Sequence, residues 1–156
     1  MLFLEVRMPI PLLNDVGELP PGIHLATVNE VEFAFGRINN KRRLLMMGLK
    51  KVIPLFKYAN VSKIYIDGSF TSDKEEPSDI DGCWSVFGVN ELKLDPRFWN
   101  FETLEEFERN LKEIKDEFYI DFFIAEIFEG ESGKPFPEFF QTNRDGKAKG
   151  IIQINL

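Results

Sequence analysis

Three aspartates and a Gly-Ser pair are the residues of this chain whose types and spacing could do chemistry. Asp79 and Asp81 stand two apart in Asp79-Ile80-Asp81. Side chains alternate along a strand, so on a strand both carboxylates share one face at one end, and Ile80 turns into the core. Carboxylates held side by side repel one another unless a cation lies between them. Upstream, Ile64-Tyr65-Ile66 runs into Asp67-Gly68-Ser69. A glycine at a strand exit admits a close neighbour, and a serine hydroxyl with nearby N–H groups can hold phosphate oxygens. No Gly-Lys-Ser/Thr follows, so this is not a Walker loop. Asp121, inside Tyr119-Ile120-Asp121-Phe122-Phe123-Ile124, is an acid in an apolar strand, costly to bury without a partner. Three carboxylates converging on a divalent ion would suit phosphoryl transfer.

Composition narrows the metal. Cys83 is the only cysteine and His24 the only histidine, too few for a zinc site built on nitrogen and sulfur. Oxygen ligands point to Mg²⁺, Mn²⁺ or Ca²⁺. The Asp-x-Asp-x-Asp-Gly spacing of an EF-hand is absent, and Mg²⁺ (or Mn²⁺) is the cofactor that three carboxylates at a phosphoryl-transfer site would take. The single cysteine also excludes an intrachain disulfide. The net charge is -7, from 26 acidic and 19 basic residues, so nonspecific binding to duplex DNA is not expected. A small anionic ligand bridged by a metal remains compatible with that charge.

The elements that must position these groups can be read from periodicity. The chain has 156 residues, 44% of them apolar and 16 of them Phe, enough for one domain with a real core. Residues 1–26 read as a proline-rich extended arm with a short strand at Leu2–Val6. Thr27-Val28-Asn29-Glu30 has capping-box form and opens a short helix that Gly36 ends. A second helix spans Asn40 to about Tyr58, with Leu45, Leu49, Val52 and Phe56 on its buried face and a kink or break expected at Pro54. Strands follow at Val61–Asp67 and Asp79–Phe87, separated by a polar loop, Gly68–Ser78.

Thr103 caps a third helix with a stripe of Leu104, Phe107, Leu111 and Ile114 and with i, i+4 pairs Glu105/Arg109 and Glu108/Lys112. Phe118–Ile127 is a third strand, placed beside the second by a crossover that contains this helix. Phe139-Phe140 closes a short helical turn, Asp145-Gly146 is a turn, and Gly150–Leu156 is a final strand. No apolar stretch approaches the roughly 20 residues of a membrane span, and the start lacks a signal-peptide pattern. A cytoplasmic protein with no membrane partner is expected.

The pattern Gly68-Ser69, nine residues, Asp79-Ile80-Asp81, then Asp121 resembles the nucleotidyltransferase superfamily. The chain also resembles a family of small uncharacterised prokaryotic proteins predicted to share that fold, through Leu19 to His24, Ile64 to Asp81, Arg144-Asp145-Gly146 and Lys149 to Ile152. The resemblance implies an α/β (α+β) fold with a mixed sheet flanked by helices. It also implies catalytic and metal-holding roles for Asp79, Asp81 and Asp121, nucleotide contacts from Gly68, Ser69 and Lys149, and an NTP substrate such as ATP. The acceptor class (protein, RNA or small molecule) stays open, as does a homo-oligomer or partner protein, including an inactive toxin–antitoxin or defence module. Two positions depart from the superfamily: Phe70 stands where arginine is common, and Gly82 where a large aliphatic residue is usual.

The remaining charges have plainer readings. Asp67, Asp73, Glu75 and Glu76 read as solvated loop acids, Arg42 and Arg43 as surface charge, and Arg144, Lys147 and Lys149 as a solvated turn or a phosphate contact. His24 reads as structural and Cys83 as a buried inert thiol.

Overall fold

The computed structural model describes residues 10–156; the strand expected at Leu2–Val6 lies outside the described residues. Five strands form one mixed sheet: β1 (Gly22–Leu25), β2 (Lys63–Asp67), β3 (Ile80–Trp84), β4 (Ile120–Ile124) and β5 (Gly150–Asn155). Their spatial order is β1-β5-β2-β3-β4. β2 runs antiparallel to both β3 and β5, while β1 pairs with β5, and β3 with β4, in parallel. The helices are α1 (Val28–Val31), α2 (Asn40–Tyr58), α3 (Leu104–Phe118) and the single turn α4 (Phe136–Phe139). The fold is thus mixed α+β, with a five-stranded sheet flanked by helices.

Alternation gives the sheet two unlike faces. Ile64, Ile66, Ile80, Trp84, Ile120, Phe122, Ile152 and Ile154 point to one side and form the main core with α2 and α3. The expected α2 stripe is fully inside: Leu45, Leu49, Val52 and Phe56 are each 0% exposed. Tyr65, Cys83 and Ile151 point to the other side, where Phe123, Phe136 and Phe140 cover them in part.

Local chemistry explains the helix limits. Thr27 and Glu30 exchange the two bonds of a capping box, and a wider turn at Glu32–Gly36 continues α1 to the expected glycine. Asn39 caps α2. Pro54 does not break α2, which runs through it to Tyr58. Pro54 and Lys50 both lie on the exposed side of the helix, where the carbonyl deprived of its N–H partner can meet water.

Thr103 accepts from Glu106 N as predicted, but the Glu106 carboxylate accepts from Glu102 N, one residue before the cap. Leu104 falls off the expected stripe at 71% exposure. Among the described residues Lys112 pairs with Asp116, not Glu108, and Glu105/Arg109 is not formed.

β1 corrects the reading of Gly22–Leu25 as part of an extended arm. Its residues alternate between half-buried and exposed, a weak local signal, and its partner β5 lies over a hundred residues downstream. Strands β2 and β3 are shorter than expected, as is β4. Asp79 therefore sits just before β3.

Candidate metal centre

All the chemistry-bearing residues gather at one end of the sheet. β2 ends there, while β3, β4 and β5 begin there, because β2 is antiparallel to its neighbours. The registers set Asp67 opposite Asp81, and Asp81 opposite Asp121, on the face away from the main core. α3 delivers β4 through one residue, Tyr119, in the left-handed conformation (φ 60°). The Tyr119 carbonyl accepts from Ile80 N at 2.9 Å, which fixes the start of β4 against β3.

The three predicted acids converge. Asp79, Asp81 and Asp121 each place one carboxylate oxygen within 4.8 Å of the others. Burial and neighbouring carboxylates raise the proton affinity of Asp81 and Asp121. Burial, then Asp79, Asp121 and Asp67, raise the Asp81 carboxyl to about 7. Burial also raises Asp121, with Lys115 opposing the rise and Asp79 adding to it. Asp121 Oδ1 is buried with no hydrogen-bond partner among the described residues. Three convergent carboxylates, one of them with a buried oxygen that no donor among the described residues satisfies, are a donor set that Mg²⁺ or Mn²⁺ takes. The residues present fit a hard divalent cation.

Gly68 is required for this packing. It has φ +76°, and a Cβ there would stand 2.1 Å from Asp81 Oδ2. Gly82, one of the departures, has a packing cause. A Cβ on it would meet Tyr65 O at 2.1 Å and the Phe122 ring at 2.8 Å. The glycine lets Phe122 lie against the sheet and leaves the carboxylate face unchanged. Phe70, the other departure, is 0% exposed and packs on Phe35 with ring centroids 6.2 Å apart. The position after Gly-Ser is therefore spent on packing, not on a cation.

A cleft of about 570 Å³ opens beside Asp81, lined by Gly68 and Ser69 and by the cations Lys74, Arg144 and Lys149. Lys147 is exposed and does not line it. The expected phosphate contact Lys149 is only 17% exposed and already faces Asp67, with Nζ 3.1 Å from Oδ1. The pair has the distance of a salt bridge without hydrogen-bond alignment. Asp67 is not a solvated loop acid: it is 4% exposed, and burial raises its pKa against the opposing pull of Lys149.

Two further residues escaped the sequence reading. Arg42 is buried (1% exposed), not surface charge. Its guanidinium donates to the carbonyls of Phe35, Ser69, Phe70, Ser72 and Lys74, at 2.5 to 3.4 Å. It thereby clamps the loop that follows Gly68-Ser69 onto α2. Lys115, in the last turn of α3, places Nζ 2.8 Å from Asp79 Oδ2. The hydrogen bond to Asp79 raises the Lys115 pKa, and Asp121 and Asp81 add to it. A lysine one turn before a helix end that leads directly into an acid-bearing strand was the available signal. His24 is tied to the N-terminal segment and Cys83 is buried. His24 Nε2 lies 2.6 Å from Pro20 O, and burial raises the Cys83 thiol.

No described helix is long and apolar enough to cross a membrane. No curated protein and no solved structure matches the chain. A family model matches residues 11–155, nearly the full length, and by that match the chain belongs to the DUF6932 family, a family of unknown function.

Proposed function

We propose that this chain is a nucleotidyltransferase-type enzyme that moves a nucleoside monophosphate from an NTP to a hydroxyl of a protein, RNA or small molecule. The observation that carries the reading is the convergence of Asp79, Asp81 and Asp121 within 4.8 Å beside Gly68-Ser69. These three carboxylates would hold Mg²⁺ or Mn²⁺, which when bound neutralises phosphate charge in the transition state. The Gly68-Ser69 turn and the cations of the cleft, Lys74 and Arg144 first, bind the β- and γ-phosphates. Lys149 contributes through a charge it shares with Asp67.

The acceptor oxygen forms a bond to the α-phosphorus, the bond to the bridging oxygen breaks, and pyrophosphate leaves. Asp121 takes the hydroxyl proton. Catalysis on this reading is positioning plus charge neutralisation. Incubation with labelled NTPs, Mg²⁺ and cell extract tests it. Transfer of label is expected from the wild type and not from Asp79→Ala, and equal labelling by both would sink the assignment.

One observation favours a second reading, an inactive module of the same fold. The cations nearest the acids are already engaged, Lys115 with Asp79 and Lys149 with Asp67. Calorimetry separates the two: Mg²⁺-NTP binding supports the enzyme, and no binding of any NTP supports the module.

A further inference from the structure

The three carboxylates do not stand alone. The C-terminal end of α3 leads through Tyr119 into the start of β4 at the same end of the sheet, and a helix C-terminus carries partial negative charge. The close approach of α3 is fixed by packing: a Cβ on Gly48 of α2 would stand 1.9 Å from Phe118 O. Without a cation of its own, this corner would concentrate negative potential from the helix end and three aspartates. Lys115 supplies that cation. Its Nζ sits 2.8 Å from Asp79 Oδ2, while its stem remains partly exposed at 44%.

Charge bookkeeping gives the consequence. A divalent ion displaces any proton these carboxylates hold, so with the ion bound the three aspartates carry −3, Lys115 reduces this to −2, and one divalent ion neutralises it. A second divalent ion would leave the corner at +2 before any substrate arrived. We propose that Lys115 is a resident counter-ion standing in for the second cation, so that the substrate-free protein holds a single divalent ion, on the Asp81 and Asp121 side. This inference rests on the metal-holding role assigned to the three aspartates above. Lys115 is on this account a positioning residue: it holds Asp79 and sets the stoichiometry of the site.

The test counts ions instead of turnover. Mn²⁺ is titrated into the full chain without nucleotide, and free Mn²⁺ is followed by electron paramagnetic resonance. The variants are Lys115→Met, which keeps the stem without the charge, and Lys115→Arg, which keeps the charge. Circular dichroism checks each fold, and the exposure of Lys115 makes unfolding of either variant unexpected. One Mn²⁺ per chain is expected for the wild type and for Lys115→Arg, and two for Lys115→Met. Two ions in the wild type, or one in both wild type and Lys115→Met, would overturn the counter-ion role and leave the metal site standing. No bound Mn²⁺ in any of the three proteins would overturn the metal site itself, and this inference with it.

Discussion

The two faces of the sheet are built from adjacent residues and behave as different materials. Phe122 and Asp121 are neighbours on β4. Phe122 is 5% exposed and stacks on Phe56, ring centroids 6.1 Å apart, within the core under α2 and α3. Asp121 turns the other way, to a corner where burial and Asp79 work against its charge and Lys115 in part offsets them. One face is optimised for packing. The other keeps carboxylates together at a cost in stability, as sites of function commonly do. A period of two lets one strand serve both ends, because neither face constrains residue choice on the other.

Removing a core side chain and neutralising a carboxylate of the site should therefore change stability with opposite signs. The largest effect is expected at Phe122→Ala, which empties core volume and should lower the unfolding free energy by about 3–5 kcal/mol. Urea unfolding measures it, and a loss below about 1 kcal/mol would show that the core face is not close-packed there.

Gly68→Ala comes next. The left-handed backbone and the 2.1 Å approach to Asp81 Oδ2 should together cost about 2 kcal/mol. Mn²⁺ affinity should drop at least about tenfold, roughly 1.4 kcal/mol, because the carboxylate must move. Unchanged affinity would mean that Asp81 does not depend on this turn.

The smallest effect is a gain. The Asp81 carboxyl titrates near 7 in the folded chain and near 4 when unfolded. Between those values the folded chain binds more protons, so metal-free stability falls as pH rises through the window. Asp81→Asn should flatten that slope and stabilise the apoprotein at pH 7.5 by about 1–2 kcal/mol after solvent screening. Denaturant titrations at pH 5 and 7.5 check this, and a variant less stable than wild type at pH 7.5 would contradict the cost assigned to this face.

The packing face was the more legible one. The α2 stripe declared itself by spacing, and the apolar run around Asp121 marked β4. The three aspartates were readable because strand alternation and one crossover suffice to bring them together. What stayed hidden were charges whose surroundings come from distant chain. Arg42 looks like any helix-start cation until five carbonyls, four of them from the loop after β2, close on it. Asp67 looks like a loop acid until Lys149, on the far side of the sequence, meets it. Local patterns assign charge to solvent by default, and only tertiary contacts reverse that. β1 was missed for the same reason, since its partner strand ends the chain.

The most direct test of the central claim is where a metal goes. Crystals grown with Mn²⁺ and a nonhydrolysable NTP, measured at the manganese edge, should show anomalous density between the carboxylates of Asp79, Asp81 and Asp121, with the triphosphate running past Gly68-Ser69. Saturating Mn²⁺ that leaves those three carboxylates without density, in a folded and ordered chain, would contradict the account.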